Sequence, residues 1–296
     1  ETYQTKLMRP VTILTALITA TTFLPVAGLS RSLSDARKVS IQGVGDAQGL
    51  ALREGHIYIY GDLETKGVHK GIIKELDLNL KPTGRLVFLE KDKKAVITHP
   101  TGLTWSKRWK TFMGDTVNGE GRIYQLDWKR MWKDGNLDNA ILTEIVDDAS
   151  RGGVRPEFVS YRGRTYLATA DYTDKNPEIR LYDPAIMMKR KRTTKGGAIA
   201  FRASAGPFNQ NLCFDQKTGR LICVQNLSPG KGWCLDIINL DKLFEDGLTK
   251  ARIKRIVLEE TSELEGFRLF KKNQALFVTS HPEDNLRLFE GFNELY

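Results

Sequence analysis

Five carboxylates recur at regular intervals in this chain: Asp62, Asp115, Glu157, Asp171 and Glu265. Polar side chains occupy the matching places, namely Gln48, Thr101, Gln210, Asn226 and His281. Residues of these types support two chemistries. Asp62, Asp115 and Asp171 offer oxygen ligands only, the donor set of a hard divalent cation such as Ca2+. Without a cation, carboxylates held close raise one another's pKa, and a carboxyl raised towards neutrality serves as a general acid or base. Glu157 and Glu265 are the candidates for that catalytic role. A structural alternative remains for each, because Asp and Glu side chains also bond loop amides. His99 and Arg155 lie two residues before Thr101 and Glu157, placed to bind an anionic group or, for the imidazole, to shuttle a proton.

What positions these residues is a repeat. Aligning QGLAL at Gln48, TGLTW at Thr101, EFVSY at Glu157, QNLCF at Gln210 and EGFRL at Glu265 gives offsets of 53, 56, 53 and 55. A second apolar strand follows in every copy, ending at Asp62, Asp115, Asp171, Asn226 and His281. A third ends in an Asp in the first four copies, at Asp77, Asp127, Asp183 and Asp241. Fourth strands are visible as GRLVFLE from Gly84, AILTEIV from Ala140, AIAFRA from Ala198 and RIKRIVL from Arg252. Short segments rich in β-branched and aromatic residues are strands, and a period of this length marks propeller blades.

The fifth copy lacks its outer strand, while an orphan, RKVSIQGV from Arg37, precedes the first. Pairing the two removes two open sheet edges. The expectation is therefore an all-β protein: a single five-bladed β-propeller over residues 37–296, built of four-stranded antiparallel blades and closed by an N-terminal strand. In such a ring the loops into the first strands and out of the second strands share a face, so the polar residues converge on one mouth of the central channel. WKRMWKDG near Trp128 and NLDKLFEDGL near Asn239 read as short rim helices.

Composition excludes more than it selects. Forty-five basic against 36 acidic side chains give a net charge of +9. The only dense basic run, KRKRTTK from Lys189, is too short for a groove and carries no interleaved aromatics, so nucleic acid is not an expected partner. Lys6 and Arg9 precede an apolar run from Val11 to Phe23 and small residues around Ala27, the pattern of a signal peptide over residues 1–29. The run is short of the roughly 20 apolar residues of a membrane span. A secreted or periplasmic monomer without a membrane span after cleavage is the expectation. Cys213, Cys223 and Cys234 have no zinc-site spacing. Cys213 and Cys223 flank a hairpin turn, where buried thiols are favoured over a disulfide. Nucleophile-elbow, P-loop, HExxH and EF-hand patterns do not occur.

The first repeat, DAQGLALREGHIYIYGDLETKGVHKGIIKELDLNLKPTGRLV, resembles the opening blade of the five-bladed glutaminyl-peptide cyclotransferases of the bacterial and plant type. HPTGLTW and ELEGFRL resemble the segments that open that family's other blades, although HPTGLTW lacks the Glu of the family's Glu-Gly-Trp-Gly-Leu-Thr element. The resemblance implies a propeller and a cyclotransferase-like activity using Glu157 or Glu265 as the acid–base group. Taken together, the sequence leads to an exported propeller that binds a small-molecule, peptide or sugar ligand at the channel mouth. It acts either as a hydrolase or acyl-transfer enzyme or as a non-catalytic interaction module.

Overall fold

A computed structural model describes residues 29–32, 36–227, 232–259, 262–292 and 296. Five antiparallel sheets surround a central axis. From the axis outward, blade 1 runs Asp46–Arg53, His56–Thr65, Val68–Leu76 and Pro82–Phe88. Blade 2 is Pro100–Ser106, Lys110–Val117, Glu120–Leu126 and Ile141–Asp147. Blade 3 is Glu157–Tyr161, Arg164–Ala170, Glu178–Tyr182 and Ile199–Ser204. Blade 4 is Asn209–Asp215, Arg220–Asn226, Trp233–Asn239 and Arg252–Glu259. Blade 5 is Leu264–Leu269, Gln274–Thr279 and Leu286–Glu290, completed by Arg37–Val39.

The ring closure expected from the sequence is thus present: Arg37 pairs with Leu288 and Val39 with Leu286. Asn285 extends it, its buried amide accepting from Ile41 N at 2.8 Å and donating to Ile41 O at 3.0 Å. Blade 4 carries one strand more than the repeat predicts, Leu29–Ser32, parallel to its outer edge. The expected leader, residues 1–29, lies outside the described residues apart from Leu29. Where blades 1 and 5 meet at the axis, a Cβ on Gly266 would come within 2.8 Å of Gly49 Cα, so these inner strands touch backbone to backbone.

The Asp that closes each third strand has a local task. Asp127 and Asp183 cap the helices Trp128–Asp134 and Pro184–Arg190 by accepting from their first-turn amides, and Asp77 accepts from Asn79 N and Lys81 N in a turn. In blade 4 the cap is Asn239, and Asp241 sits instead in the first turn of Leu240–Asp246. The helix Pro184–Arg190 went unread in the sequence, although its Asp-Pro start is a helix-initiating signal.

Core clusters lie between neighbouring blades, because each sheet is apolar on both faces. Tyr58, Trp128 and Trp132 form one such seam, and Arg53 lies over both Trp105 and Trp128 at 4.9 and 4.7 Å. The basic run is not a free loop. Arg192 pairs with Asp148 at 3.0 Å and Thr193 bonds buried Asp147 at 2.7 Å, clasping blade 3 to the outer strand of blade 2.

All three cysteines are free and buried. Cys213 pairs with Ile222, and Cys223 with Leu212, so the two thiols point to opposite faces of the sheet, into different core clusters. Reductant is accordingly expected to leave the melting temperature unchanged. Alkylation after denaturation without reductant should modify all three; a protected Cys213–Cys223 pair would contradict the register.

Candidate functional site

Four inner strands bulge near their start, the extra residue being Gln48, Thr101, Gln210 and Glu265. A bulge re-aims its side chain, here towards the channel. In blade 3 the residue at that level is Arg155, whose amide donates to Thr169 Oγ1 at 3.2 Å. The ring is therefore Gln48, Thr101, Arg155, Gln210 and Glu265, spaced by 53, 54, 55 and 55 residues. This corrects the expected alignment: Glu157 stands two residues deeper and faces the other end of the channel.

We call the end bearing the loops into the inner strands the upper mouth. There a hydrogen-bonded chain crosses three blades. Arg155 Nη2 donates to Gln210 Oε1 at 3.3 Å, and Gln210 Nε2 donates to Glu263 Oε1 at 2.8 Å and to Glu265 Oε1 at 3.4 Å. Thr101 Oγ1 donates to Val154 O, tying blade 2 to the loop that carries Arg155. Tyr172 lies under the Arg155 guanidinium at 4.9 Å and shares Glu263.

The electrostatics of this mouth are unusual. Arg155 is 4% exposed, makes no ion pair among the described residues, and its Nε has no hydrogen-bond partner. Burial pulls its pKa down to about 10. Glu265 is buried beside it; burial and then the neighbouring Glu263 charge push its carboxyl well above the usual range, with Arg155 opposing. Both charged forms are thus under-compensated, the pattern that marks a candidate functional site.

The remaining predicted residues divide. Asp62 joins the upper mouth: His69 Nδ1 and His99 Nδ1 contact its carboxylate at 2.9 and 3.4 Å, and these contacts outweigh burial and lower its pKa. Asp115 accepts from the backbone amides of His99 and Thr98 at 2.8 and 3.4 Å. Asp171 accepts from the Arg151 and Glu178 amides and from both terminal nitrogens of buried Arg180 at 2.6 and 2.9 Å. These two carboxylates fasten loops. Asn226 closes its strand, its N–H donating to Phe208 O, and His281 lies exposed on a turn with Glu283. Among the described residues no group of three or more His, Cys, Asp or Glu is placed to hold a metal ion.

The opposite, lower mouth opens between the turns that join inner and second strands. It holds a cavity of about 540 Å³ lined by residues of all five inner strands. Glu157 and Arg268 pair at 3.1 Å in its floor. Tyr60 stands between the mouths, buried, with its hydroxyl pushed up to about 12; burial is the main cause, and Glu157 below and Glu265 above both contribute. Sequence reasoning missed Arg268, Glu263 and Tyr172. Glu263 had a visible signal, since two residues before Glu265 places it on the same side of an extended chain.

The ring and its two polar mouths define a β-propeller. Against known proteins, no family model matches the chain and no curated protein matches it. Solved structures do. An exo-β-1,3-galactanase from Clostridium thermocellum superposes with a TM-score of 0.51 at 9% identity, over 84% of this chain and 58% of that one. This chain thus spans less than three fifths of that structure. The PQQ-bound aldose sugar dehydrogenase of Streptomyces coelicolor gives 0.49 at 14% identity, over 82% and 76% of the two chains. Sqt1 of Chaetomium thermophilum, bound to the N-terminus of ribosomal protein L10, gives 0.40 at 11%, over 84% and 65%. At such identities the likeness concerns the fold alone.

Proposed function

We propose that the upper mouth binds a polar ligand through an anionic group, and that the protein is a hydrolase or acyl-transfer enzyme. Arg155 is the anchor for the anion and Glu265 the acid–base group. The observation that carries this reading is a buried guanidinium with no ion pair beside a buried carboxyl held towards its protonated form. A ligand carboxylate or phosphate would supply the missing countercharge to Arg155 in a fork geometry. The neutral Glu265 carboxyl would donate its proton to the departing group as the scissile bond breaks and recover one from the attacking nucleophile, water in hydrolysis or an amine in cyclisation. A cyclotransferase is the narrower form of this class. Export rests on the leader-like composition of residues 1–29.

A non-catalytic module would show mouth carboxylates all engaged by backbone, as Asp115 and Asp171 are and Glu265 is not. The test is a turnover screen of esters, amides, lactones and N-terminal glutaminyl peptides, each with and without a carboxylate or phosphate substituent. Turnover confined to anionic members, and a KM raised about tenfold to a hundredfold in Arg155→Met, is the expected result. A silent panel, or an Arg155→Met enzyme equal to wild type, removes the reading.

A further inference from the structure

From the lower mouth we infer a second binding site, independent of the first, for a neutral saccharide. Its floor carries no net charge: Glu157 and Arg268 neutralise each other at 3.1 Å, so neither a metal ion nor an anion is called for. The floor is nonetheless unsaturated in one sense only. Arg268 Nη1 is fully used, donating to Asn211 Oδ1, Leu212 O and Phe267 O at 2.9, 2.7 and 2.9 Å. The Glu157 carboxylate receives Arg268, the Thr104 hydroxyl and a long bond from Phe214 N at 3.4 Å, which leaves one of its roughly four acceptor sites free for a donor from the cavity. The same cavity is lined by the hydroxyls of Ser106, Ser160 and Thr165, each able to donate and to accept.

One wall is aromatic. Trp105 lines the cavity and is 38% exposed, an uncommon state for an indole in a closed ring, and Arg53 lies over its ring at 4.9 Å. An acceptor floor, a hydroxyl rim and an indole wall match a ligand that is apolar on its C–H faces and dense in hydroxyls at its edge. Sugars have that build, and a cavity of about 540 Å³ lies within the range of ligand pockets, roughly 300–1,000 Å³.

The full chain, titrated with glucose, galactose, maltose and cellobiose, tests this by calorimetry and tryptophan emission. Binding of at least one sugar with a change in emission is expected. Trp105→Ala should weaken it about tenfold, and Trp105→Phe should retain most of the affinity. A Ser160→Val, Thr165→Val double variant, altered only at the exposed rim, provides a second probe expected to lose affinity. Arg155→Met should bind sugar as wild type does, which separates this site from the upper mouth. Failure of the whole panel, undiminished binding by Trp105→Ala and the rim variant, or loss of binding in Arg155→Met would each overturn the inference.

Discussion

Replacing Glu265 by Gln is expected to cut turnover by about 10²–10⁴-fold, the usual contribution of a positioned proton donor, while making the protein more stable at neutral pH. The two effects have one origin. Burial and Glu263 hold the folded carboxyl well above its ordinary value of 4.5. Between that value and the folded pKa, the native state keeps a proton that the unfolded chain releases. Stability from this group is therefore fully present below the unfolded pKa and falls as pH rises through the window. Gln cannot ionise, so the variant should match wild type in acid and gain on it progressively towards neutrality. Melting curves against pH check the second effect and the turnover assay the first.

Glu157→Gln supplies the contrast. Burial raises its pKa too, but its loss would strand Arg268 without a countercharge, and that variant should be less stable than wild type. Equal pH slopes for Glu265→Gln and wild type would refute the protonated, poised carboxyl.

Asp171→Ala is expected to be the most damaging single change, at about 3–5 kcal/mol. Asp171 and Arg180 are 0% and 2% exposed and joined by two bonds, with Glu178 adding a third at 2.9 Å. Removing the carboxylate leaves a buried cation short of charge and releases the Arg151 amide, the start of the loop that brings Arg155 to the mouth. At about 2–4 °C per kcal/mol for a domain of this size, the melting temperature should fall by roughly 6–20 °C. Asp171→Leu combined with Arg180→Met should recover part of the loss, since it strands no buried cation while the Arg151 and Glu178 amides still lack their acceptor. A melting temperature within a degree or so of wild type in Asp171→Ala would show that Asp171 does not fasten the loop.

The five-blade architecture was legible because every copy repeats the same order of short strands, and because a strand missing at one end is matched by an orphan at the other. The alignment of blade 3 was not. Side chains alternate with a period of two, so sliding EFVSY by two residues leaves its inward and outward faces unchanged and the apolar pattern cannot report the slip. Glu157 consequently took, in the sequence reading, the ring position that Arg155 holds. Which carboxylates are spent on structure was equally hidden. Asp115 and Asp171 differ from Glu265 in their partners, and those partners are loop amides and an arginine fixed only once the sheet is built. Arg268, 111 residues from Glu157, lies beyond any local pattern.

The strand that completes blade 5 has a mechanical consequence. Arg37 faces Leu288, so the chain enters and leaves this antiparallel pair at the same end. A pulling force applied at Arg37 and Glu290 would open the pair like a zipper, loading one rung at a time, whereas a sheared pair shares the load across all its rungs. Three rungs and the Asn285 amide stand in the way. Resistance to heat and resistance to tension therefore diverge in this ring, and tension should detach residues 37–39 while the other four blades remain folded.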